Sequence, residues 1–559
     1  MMVLDRMNTA TTSAQRRLIF AHLTVAFAAL FIGTFFGVLQ ALSHANAVQM
    51  PPWFDYYRML TAHGVLLALV FTTFFITGLS HLAVYQTENY PHRSIALGWI
   101  AFWLMTVGTV MAAYEILAGN ASVLYTFYAP LKASPWFYVG AALLIVGTWV
   151  ALLEWLLVTG AWRRDHPGER TPLPAFMVLA NYIMWFLATI GVAIEVIFML
   201  IPWAFGWVPG VDVLLTRMLF WYFGHPLVYF WLLGAYLVWY GVVPAILKVP
   251  IFSDSLTRLA FILFIILSLP VGIHHEFSDP GIADRWKLLQ TGLTLMVVVP
   301  SLMTAFALFA TFEEYAAKLG KTGFFGIVGS LPWGDPAFAG IALAMLLFIF
   351  GGIGGILNAS YTLDSTIHNT MWVVGHFHIT VGGPVALTLL AATWRLLPAL
   401  TGKRLFSVGL ARAQVWLWFV GMAVMSFAMH TEGLMGAPRR VEHYTYGGSA
   451  IAAAWQPYSL LAAGGGMVIF LSVIAFAIVL FGTIFSKSDV TESESARAFT
   501  FALARPGDEA PSAFDRLGLW TLVAVALVIV AYAGPFYQHF SEHAYLLPGM
   551  RTWGTKHRR

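Results

Sequence analysis

Long apolar stretches separated by short polar loops recur along the whole chain and leave few possible folds. The chain has 559 residues, of which 59% are hydrophobic and only 10% are charged, whereas a soluble domain carries roughly a quarter charged residues. About 20 consecutive apolar residues are needed for a helix to cross a bilayer, and about thirteen stretches reach that length. We therefore predict an all-α polytopic membrane protein, a bundle of about thirteen transmembrane helices.

The stretches follow one another without a repeat or an appended soluble region, which indicates a single domain over residues 1–559. The predicted spans are 18–42, 60–86, 95–118, 136–160, 175–202, 214–247, 257–275, 288–316, 334–357, 370–398, 412–435, 458–485 and 515–539. We interpret the first as a transmembrane helix, because it is too long for the apolar core of a signal peptide. The only sizeable polar insertion, residues 486–515, is expected to be a solvated, mobile cytoplasmic loop.

Basic residues are concentrated in alternate loops, so the positive-inside rule predicts a cytoplasmic N-terminus. The richer set of loops contains Arg16, Arg17, Arg93, Arg163, Arg164, Arg170, Lys248, Arg258, Lys318, Lys321, Lys403, Arg404, Arg412 and Lys487. An odd number of spans places the C-terminus outside, although the basic tail 556–559 weighs against this. The net charge of +4 is explained by these loops and requires no nucleic-acid partner.

Histidines are the main candidates for metal ligands, because the chain contains no cysteine. His376 and His378 lie two residues apart in a predicted helix, which is about 200° of rotation. They point to nearly opposite flanks, so they can hold two prosthetic groups but not one metal ion. Packing histidines or a proton relay remain alternatives for an isolated pair.

Six histidines from four predicted helices fall at one depth, in the outer half of the membrane. They are His63, His225, His274, His275, His376 and His378. His274 and His275 can reach one ion only at a helix end, and His225 would complete a three-histidine site suited to copper, zinc or iron. For the adjacent pair alone, a satisfied helix terminus remains the simpler interpretation.

A second pattern consists of hydroxyl groups that descend from this layer towards the cytoplasm. Tyr229 lies one turn after His225, and Tyr229, Tyr236 and Tyr240 share one helix face. Ser301 and Thr304 share a face of the eighth span, and Ser253 lies at the cytoplasmic foot. The pattern is compatible with a proton path through water and hydroxyls, but hydroxyl groups on a transmembrane face more often form hydrogen bonds between helices.

The combined motifs resemble those of subunit I of the haem–copper oxygen reductases. They are His63, the segment His225-Pro226-Leu227-Val228-Tyr229, the pair His274-His275 and the segment His376-Phe377-His378. Segments 123–128, 300–306 and 363–378 are similar to the B class, the ba-type cytochrome oxidases of Thermus-like bacteria. The resemblance extends through essentially the whole chain.

This resemblance implies a role for each motif residue. His63 and His378 would be the axial ligands of a low-spin b-type haem, and His376 the ligand of a high-spin a-type haem. Copper B would be held by His225, His274 and His275. Tyr229 would be joined covalently to His225 and would supply an electron and a proton. The haem propionates would be bound by Arg439, Arg440, Asp364, His368 and Asn369, and the proton path would be Tyr229, Tyr236, Tyr240, Ser253, Ser301 and Thr304.

The implied activity is reduction of dioxygen to water by a respiratory terminal oxidase, coupled to proton pumping. Implied partners are a subunit II with a binuclear copper site, cytochrome c as electron donor, a small single-helix subunit and membrane lipid. The implied location is a bacterial or archaeal cytoplasmic membrane.

Leu227 occupies the position at which the commonest class of the family has a glutamate that ends a second proton route, so we expect one input path for protons. Glu154 and Glu195 have no assigned role beyond local pairing.

Two alternatives stay open at this point. A nitric oxide reductase would hold non-haem iron and bring carboxylates to the metal; Tyr229 argues against it, while Glu276 beside the histidine pair keeps it in view. A proton-coupled transporter would use the histidines as relays without a metal. Metal and haem content distinguish all three.

Overall fold

The fold is a bundle of long helices, which confirms the predicted all-α membrane architecture. The computed structural model describes residues 11–51, 53–88, 95–444, 446–487, 489–491, 498–505 and 507–541. Within these ranges thirteen helical spans are long and apolar enough to cross a membrane: α1 (Ser13–His44), α2 (Tyr56–Glu88), α3 (Ile95–Leu117), α4 (Pro135–Asp165), α5 (Leu173–Ala204), α6 (Val213–Leu247), α7 (Asp254–Glu276), α8 (Asp284–Lys318), α9 (Pro336–Ala359), α10 (Met371–Thr401), α11 (Val408–Leu434), α12 (Ala450–Ile484) and α13 (Leu517–Ser541). The described residues contain isolated β-bridges but no strand. Arg93 and the tail 556–559, used above to orient the chain, lie outside the described residues.

Several spans begin earlier than their apolar cores, because polar residues cap them. The Thr12 hydroxyl accepts a hydrogen bond from the Gln15 backbone N–H at 3.3 Å, and the Gln15 side chain accepts from the Thr12 N–H at 2.6 Å. This capping box starts α1. Asp55 accepts from the Arg58 N–H at 2.9 Å and starts α2 four residues before the predicted position. Hydropathy locates the middle of a span, whereas caps decide its ends.

Four spans depart from regular α-helical geometry. Wider, π-helical turns occupy Val65–Phe71, Val196–Leu200 and His378–Ala386. α7 is regular only to Ser268 and, after Pro270, closes with a 3₁₀ turn at Ile273–Glu276 that carries His274 and His275. One of the three π turns begins at His378 and another begins two residues after His63, both predicted haem ligands, and such turns are frequent at functional sites.

Shorter elements complete the chain between the spans. α8 is interrupted at Val297 between Asp284–Met296 and Val298–Lys318. The remaining elements are the short helices Gly323–Ser330 and Tyr361–Ile367 and the 3₁₀ turns Tyr446–Gly448 and Ser512–Asp515. α6, by contrast, runs from Val213 to Leu247 without a break, although it contains Pro226.

Part of the polar segment 486–515, at Phe499, Phe501 and Ala502, is packed against the bundle, whereas Lys487, Asp489 and Glu509 are exposed, so the expectation of a solvated loop is wrong only for that part. Phe499 and Phe501 are buried, with exposures of 0% and 1%. The Ala502 N–H donates to the Gly241 carbonyl at 2.7 Å. A Cβ atom at Gly241 would lie 2.6 Å from the Phe501 ring. The polar composition of the segment did not predict this packing. Burial of the two phenylalanine side chains against α6 contributes more free energy than exposure of the flanking polar residues.

Close helix contacts at glycine hold α11 and α12 together. A Cβ atom at Gly465 would lie 2.7 Å from the Met425 nitrogen and 2.8 Å from the Gly421 carbonyl oxygen. The neighbouring Gly464 has no atom within 4 Å of its Cβ position. Small residues let membrane helices approach closely where lipid provides no hydrophobic driving force.

We predict that Gly465→Ala destabilises the protein by about 1–3 kcal/mol, because the added methyl group meets backbone atoms that cannot rotate away. Gly464→Ala is the matched control and should be neutral or slightly stabilising, since alanine favours a helix by about 1 kcal/mol over glycine. Thermal unfolding in detergent measures both. Equal midpoints for the two variants would contradict the close contact.

Candidate metal and cofactor site

One cavity of about 600 Å³ lies within the bundle and contains the whole predicted histidine layer. Its lining includes His63, His225, His274, His275, His376 and His378. The volume falls within the range of roughly 300–1,000 Å³ that is usual for ligand sites. Residues from α2, α6, α7 and α10 therefore face one enclosed space, which makes this cavity the candidate site.

Three of these histidines form a compact group. The ligand nitrogens of His225, His274 and His275 all lie within 4.8 Å of one another. His225 Nδ1 is 3.1 Å from His275 Nε2, about the edge of a tetrahedral shell with bonds of roughly 2.0–2.1 Å. The donor set therefore fits a small transition-metal ion with an open position.

Neighbouring side chains orient the three imidazoles. His274 Nδ1 is 3.1 Å from the Thr294 hydroxyl of α8. The Trp221 ring stacks on His275 at 3.8 Å between centroids with an angle of 8° between planes. Such outer partners fix the orientation of a ligating ring. Sequence reasoning missed Thr294 and Trp221, because neither belongs to a metal-ligand pattern.

Tyr229 lies directly beside this group. Its hydroxyl is 3.0 Å from His225 Nε2, and the two rings are 5.0 Å apart at 79°. His225 therefore presents Nδ1 to the other histidines and Nε2 to the tyrosine. The i, i+4 spacing on α6 produces this contact.

His63 and His378 face each other across the cavity as a nearly parallel pair. Their ring centroids are 6.1 Å apart, with 14° between planes. Nδ1 of His63 donates to the Gly33 carbonyl at 2.9 Å, and Nδ1 of His378 donates to the Val374 carbonyl at 2.8 Å. Because a carbonyl only accepts, Nε2 of each neutral ring is left without hydrogen and free to bind a metal. Two metal–nitrogen bonds of about 2 Å to one ion would place the ring centroids roughly 6 Å apart, so the pair could hold one metal ion between the two rings.

His376 belongs to the other flank of α10. Its Nδ1 lies 3.3 Å from the Thr380 hydroxyl, and its ring is nearly parallel to Trp372. A Cβ atom at Gly354 of α9 would lie 2.6 Å from the same Nδ1. Space for the imidazole therefore depends on glycine at this position, and His376 and His378 turn towards different parts of the cavity.

The polar residues predicted to bind propionates lie in the loops at one end of the cavity. Asp364, His368, Arg439 and Arg440 line it, and His368 Nδ1 is 2.6 Å from Asp364 Oδ2. Asn369 is not among the lining residues; its backbone carbonyl accepts from the Arg439 N–H at 3.0 Å. The structure thus places Asn369 behind Arg439, where it positions the arginine.

The positive charge of this loop region favours binding of an anion. Burial, and then the neighbouring Arg440, lower the pKa of Arg439 to about 10. The buried Arg439 Nε has no hydrogen-bond partner among the described residues. Burial also raises the pKa of Asp364, despite its hydrogen bond to His368. Two adjacent guanidiniums with an unused donor fit a carboxylate group of a cofactor.

The predicted hydroxyl column is assembled only in part. The Tyr240 hydroxyl donates to Thr304 Oγ1 at 2.9 Å. Tyr236 is buried beside Ser301 and Thr304, but its hydroxyl makes no direct hydrogen bond within the described residues. Water between these groups would complete the column up to Tyr229. Ser253 is used differently, since its hydroxyl accepts from the Leu256 N–H at 3.2 Å and caps α7.

Of two buried carboxylates near the cavity, only one lines it. Glu276 has 0% exposure, but it is neither a lining residue nor part of the three-histidine group. Glu432 of α11 does line the cavity and accepts a hydrogen bond from Ser459 at 2.5 Å. Sequence reasoning missed Glu432, because it stands near the end of a span where carboxylates are ordinary.

Comparison with known proteins gives consistent matches. The family described as cytochrome c and quinol oxidase polypeptide I matches residues 17–468. Cytochrome c oxidase subunit 1 of Thermus thermophilus is 41% identical over 549 residues, covering 95% of this chain and 96% of that protein. Cytochrome c oxidase subunit 1 of Synechocystis sp. is 28% identical over 499 residues, covering 86% and 85%. A haem–copper terminal oxidase dimer solved by cryo-EM superposes with a TM-score of 0.90 at 36% identity, covering 94% of this chain and 93% of that one.

We predict that His274→Ala lowers the affinity of the three-histidine group for its metal by at least about tenfold, because even loss of an outer partner costs 10–100-fold. Elemental analysis of the purified protein measures this as lost copper. His166→Ala, at the end of α4 and stacked on Trp162, is the control and should keep full metal content. Unchanged copper in His274→Ala would exclude this group as the copper site.

Proposed function

The chain belongs to the family of cytochrome c and quinol oxidase polypeptide I, and we propose that its six cavity histidines divide between two haems and one copper ion. His63 and His378 would bind the low-spin haem iron, and His376 the high-spin haem iron. His225, His274 and His275 would bind copper B. The proposal is carried by the two Nδ1–carbonyl hydrogen bonds, which leave Nε2 unprotonated in His63 and His378, two nearly parallel rings whose centroids are 6.1 Å apart.

As a family member, the protein is the catalytic subunit of a terminal oxidase that reduces dioxygen to water and couples this to proton uptake and pumping. When bound, the haems and copper supply the electron transfer and the redox chemistry of dioxygen. The chain itself positions these groups, excludes bulk water from the cavity and delivers protons. We infer that the low-spin haem is b-type and the high-spin haem a-type.

Tyr229 is proposed to provide one electron and one proton at the dioxygen site. Its hydroxyl lines the same cavity as the histidines and is 3.0 Å from His225 Nε2. This proximity supports a covalent bond between the two rings, which would hold the phenol beside the reacting dioxygen. His225 would then use Nδ1 for copper, in line with the contact between Nδ1 and His275.

Protons are proposed to travel to Tyr229 along the hydroxyls of α6 and α8. The direct hydrogen bond between Tyr240 and Thr304 supports the lower half of this path, and Ser301 lines the cavity at its upper end. Water would bridge the buried hydroxyl of Tyr236. Ser253 would act at the foot of the path by fixing the start of α7, since its hydroxyl is engaged as a cap. With Leu227 in place of a carboxylate, we propose this as the only input path to the cavity.

The loop residues near Arg439 are proposed to hold the haem propionates. Arg439 and Arg440 would bind the carboxylates by charge-assisted hydrogen bonds, and Asn369 would position Arg439. The Asp364–His368 pair, with its raised Asp364 pKa, would lie where protons and product water leave. The positive charge here would therefore be neutralised only in the haem-loaded protein.

The wider assembly is proposed from the same family membership. A subunit II with a binuclear copper site would pass electrons from cytochrome c, and a small single-helix subunit and membrane lipid would surround the bundle. The basic loops support the proposal that the N-terminus lies in the cytoplasm of a bacterium or archaeon. The nitric oxide reductase alternative is not favoured, because Glu276 stands apart from the three-histidine group, and the family match does not favour a transporter.

We predict that Tyr229→Phe lowers oxygen reduction by at least about 100-fold, because the variant lacks the phenolic proton and electron, while both haems remain bound. Oxygen consumption and visible spectra measure these two effects. Tyr222→Phe is the matched control on the same helix, since Tyr222 contacts Tyr532 instead of the histidines. Retention of most activity in Tyr229→Phe would make the tyrosine structural only.

We predict that Thr304→Val slows steady-state turnover by roughly tenfold or more, because it removes the acceptor of the Tyr240 hydrogen bond and interrupts the proton path. Thr393→Val is the control: Thr393 is also buried and also bonds the carbonyl four residues earlier, but on α10. Proton uptake by the reconstituted oxidase gives the direct measurement. Equal rates in the two variants would place the path elsewhere.

A further inference from the structure

A second buried polar cluster lies between α1, α2, α4 and α3, away from the haem cavity. The side chains of His22, His81 and Glu154 each have 0% exposure. His81 follows His63 by eighteen residues on α2, about 27 Å at 1.5 Å per residue. None of the three lines the haem cavity. Ionisable groups inside a membrane are costly and mark function by default.

The hydrogen bonds of the two imidazoles define their tautomers. His22 Nδ1 donates to the Leu18 carbonyl at 2.9 Å, so Nε2 of the neutral ring is a bare acceptor. Trp155 Nε1 can only donate, and it donates to His81 Nδ1 at 3.1 Å. Nε2 of neutral His81 therefore carries the hydrogen. The ring centroids are 5.2 Å apart, so a donor and an acceptor of complementary type lie in neighbouring rings.

The carboxyl group of Glu154 completes the cluster. Its Oε1 accepts from the Tyr85 hydroxyl at 2.5 Å, and its Oε2 lies 3.8 Å from His81 Nδ1. Three atoms, His22 Nε2, His81 Nε2 and Glu154 Oε2, have no hydrogen-bond partner among the described residues. A donor, an acceptor and a carboxyl oxygen match the roughly three partners of a typical buried water.

Gly98 of α3 borders the same space. A Cβ atom there would lie 2.7 Å from Glu154 Oε2 and 3.3 Å from His81 Cε1. Phe102 also lies on α3, and its ring centroid is 5.1 Å from that of His22. The absence of a side chain at position 98 therefore keeps the polar atoms from being crowded.

We propose that His22, His81 and Glu154 form a proton-binding site around a bridging water, independent of the haem–copper centre. A proton taken from the aqueous phase forms an O–H bond at the Glu154 carboxylate or an N–H bond at His22 Nε2, and the cluster gains one positive charge. The bridging water passes the proton between these two acceptors, while His81 donates a hydrogen bond to that water from Nε2 and keeps its own hydrogen. No other bond forms or breaks, and no redox partner is needed.

Access is from the membrane face at which α1 begins and α2 ends. Glu88 lies one turn beyond Tyr85 on α2 and accepts from the Thr159 hydroxyl at 2.8 and 3.0 Å. The rings of Phe74 and Phe102 contact His22. The cluster can therefore hold a proton, but it does not continue as a proton path to the haems.

Several titratable groups within the described residues face this cluster. They are His22 from α1, His81, Tyr85 and Glu88 from α2, Glu154 and Arg163 from α4, and Tyr182 from α5. Residues 89–94, between α2 and α3, lie outside the described residues.

Infrared difference spectroscopy of the purified oxidase complex between two pH values tests the proposal. We expect a C=O band of a protonated carboxylic acid that grows on acidification, shifts in D₂O and is lost in Glu154→Gln. Tyr85→Phe should shift its frequency, because it removes the hydrogen bond to Oε1. Glu195→Gln is the control, since Glu195 is equally buried on α5 and should leave the band unchanged. Superimposable spectra of wild type and Glu154→Gln would overturn the site.

A second pair of variants tests whether the proton is shared among His22, His81 and Glu154 or is bound by Glu154 alone. His22→Leu should move the midpoint of the band by about one pH unit, because it removes one proton acceptor of the cluster. Gly98→Ala should also move the band, since its methyl group would lie 2.7 Å from Glu154 Oε2 and alter the polar space around it. The visible haem spectra of all variants should match wild type, which separates this proposal from the haem assignments. A midpoint unchanged in both variants would show that Glu154 titrates alone and would refute the shared site.

Discussion

A histidine can ligate a metal only through a ring nitrogen that carries no hydrogen. Inside a bilayer no bulk water is present to exchange hydrogen between the two ring nitrogens. The protein must therefore hold the other ring nitrogen with a group of its own. His63 uses the carbonyl of Gly33 in a neighbouring helix, and His378 uses the carbonyl of Val374 in its own helix. The proposal that these two rings bind a metal depends on these two hydrogen bonds, because they leave Nε2 of each neutral ring without hydrogen.

Irregular helix geometry supplies the space for these ligands. The π turns after His63 and at His378 change the register of a helix within one turn, so side chains that regular spacing would send elsewhere reach the cavity. Glycine has the same effect from the opposite helix. A Cβ atom at Gly37 would lie 2.5 Å from His63 Nδ1. Departures from ideal helix geometry and close contacts at glycine thus occur beside His63 and His378, whose imidazole rings need the space.

The two buried histidine clusters use one device for different chemistry. In both, a hydrogen bond from or to Nδ1 sets which ring nitrogen is available. His22, like His63 and His378, donates from Nδ1 to a carbonyl and has a bare Nε2, whereas Trp155 imposes the opposite tautomer on His81. The surroundings of the bare nitrogen therefore distinguish the two clusters: His63 and His378 line the large cavity, and His22 lies beside the buried rings of Phe74 and Phe102.

Much of the architecture could be predicted from the chain alone. Hydropathy predicted the number of spans, and the rise of 1.5 Å per residue predicted that six histidines share one depth. Prediction was weaker where contacts join distant segments. The loop containing Phe501 was expected in solvent but packs on Gly241, and Ser253 caps a helix where a place in the hydroxyl column was expected.

The sequence by itself determined that this is a helical membrane bundle and which imidazoles lie at which level, because apolarity and helical rise are properties of each segment alone. Only the tertiary structure decided which helices are neighbours, which nitrogen of each ring is free and that Glu276 is not part of the three-histidine group. Those features depend on distances between residues far apart in the chain, such as His63 and His378. No local pattern encodes such distances; they arise when the packed helices exclude every other arrangement.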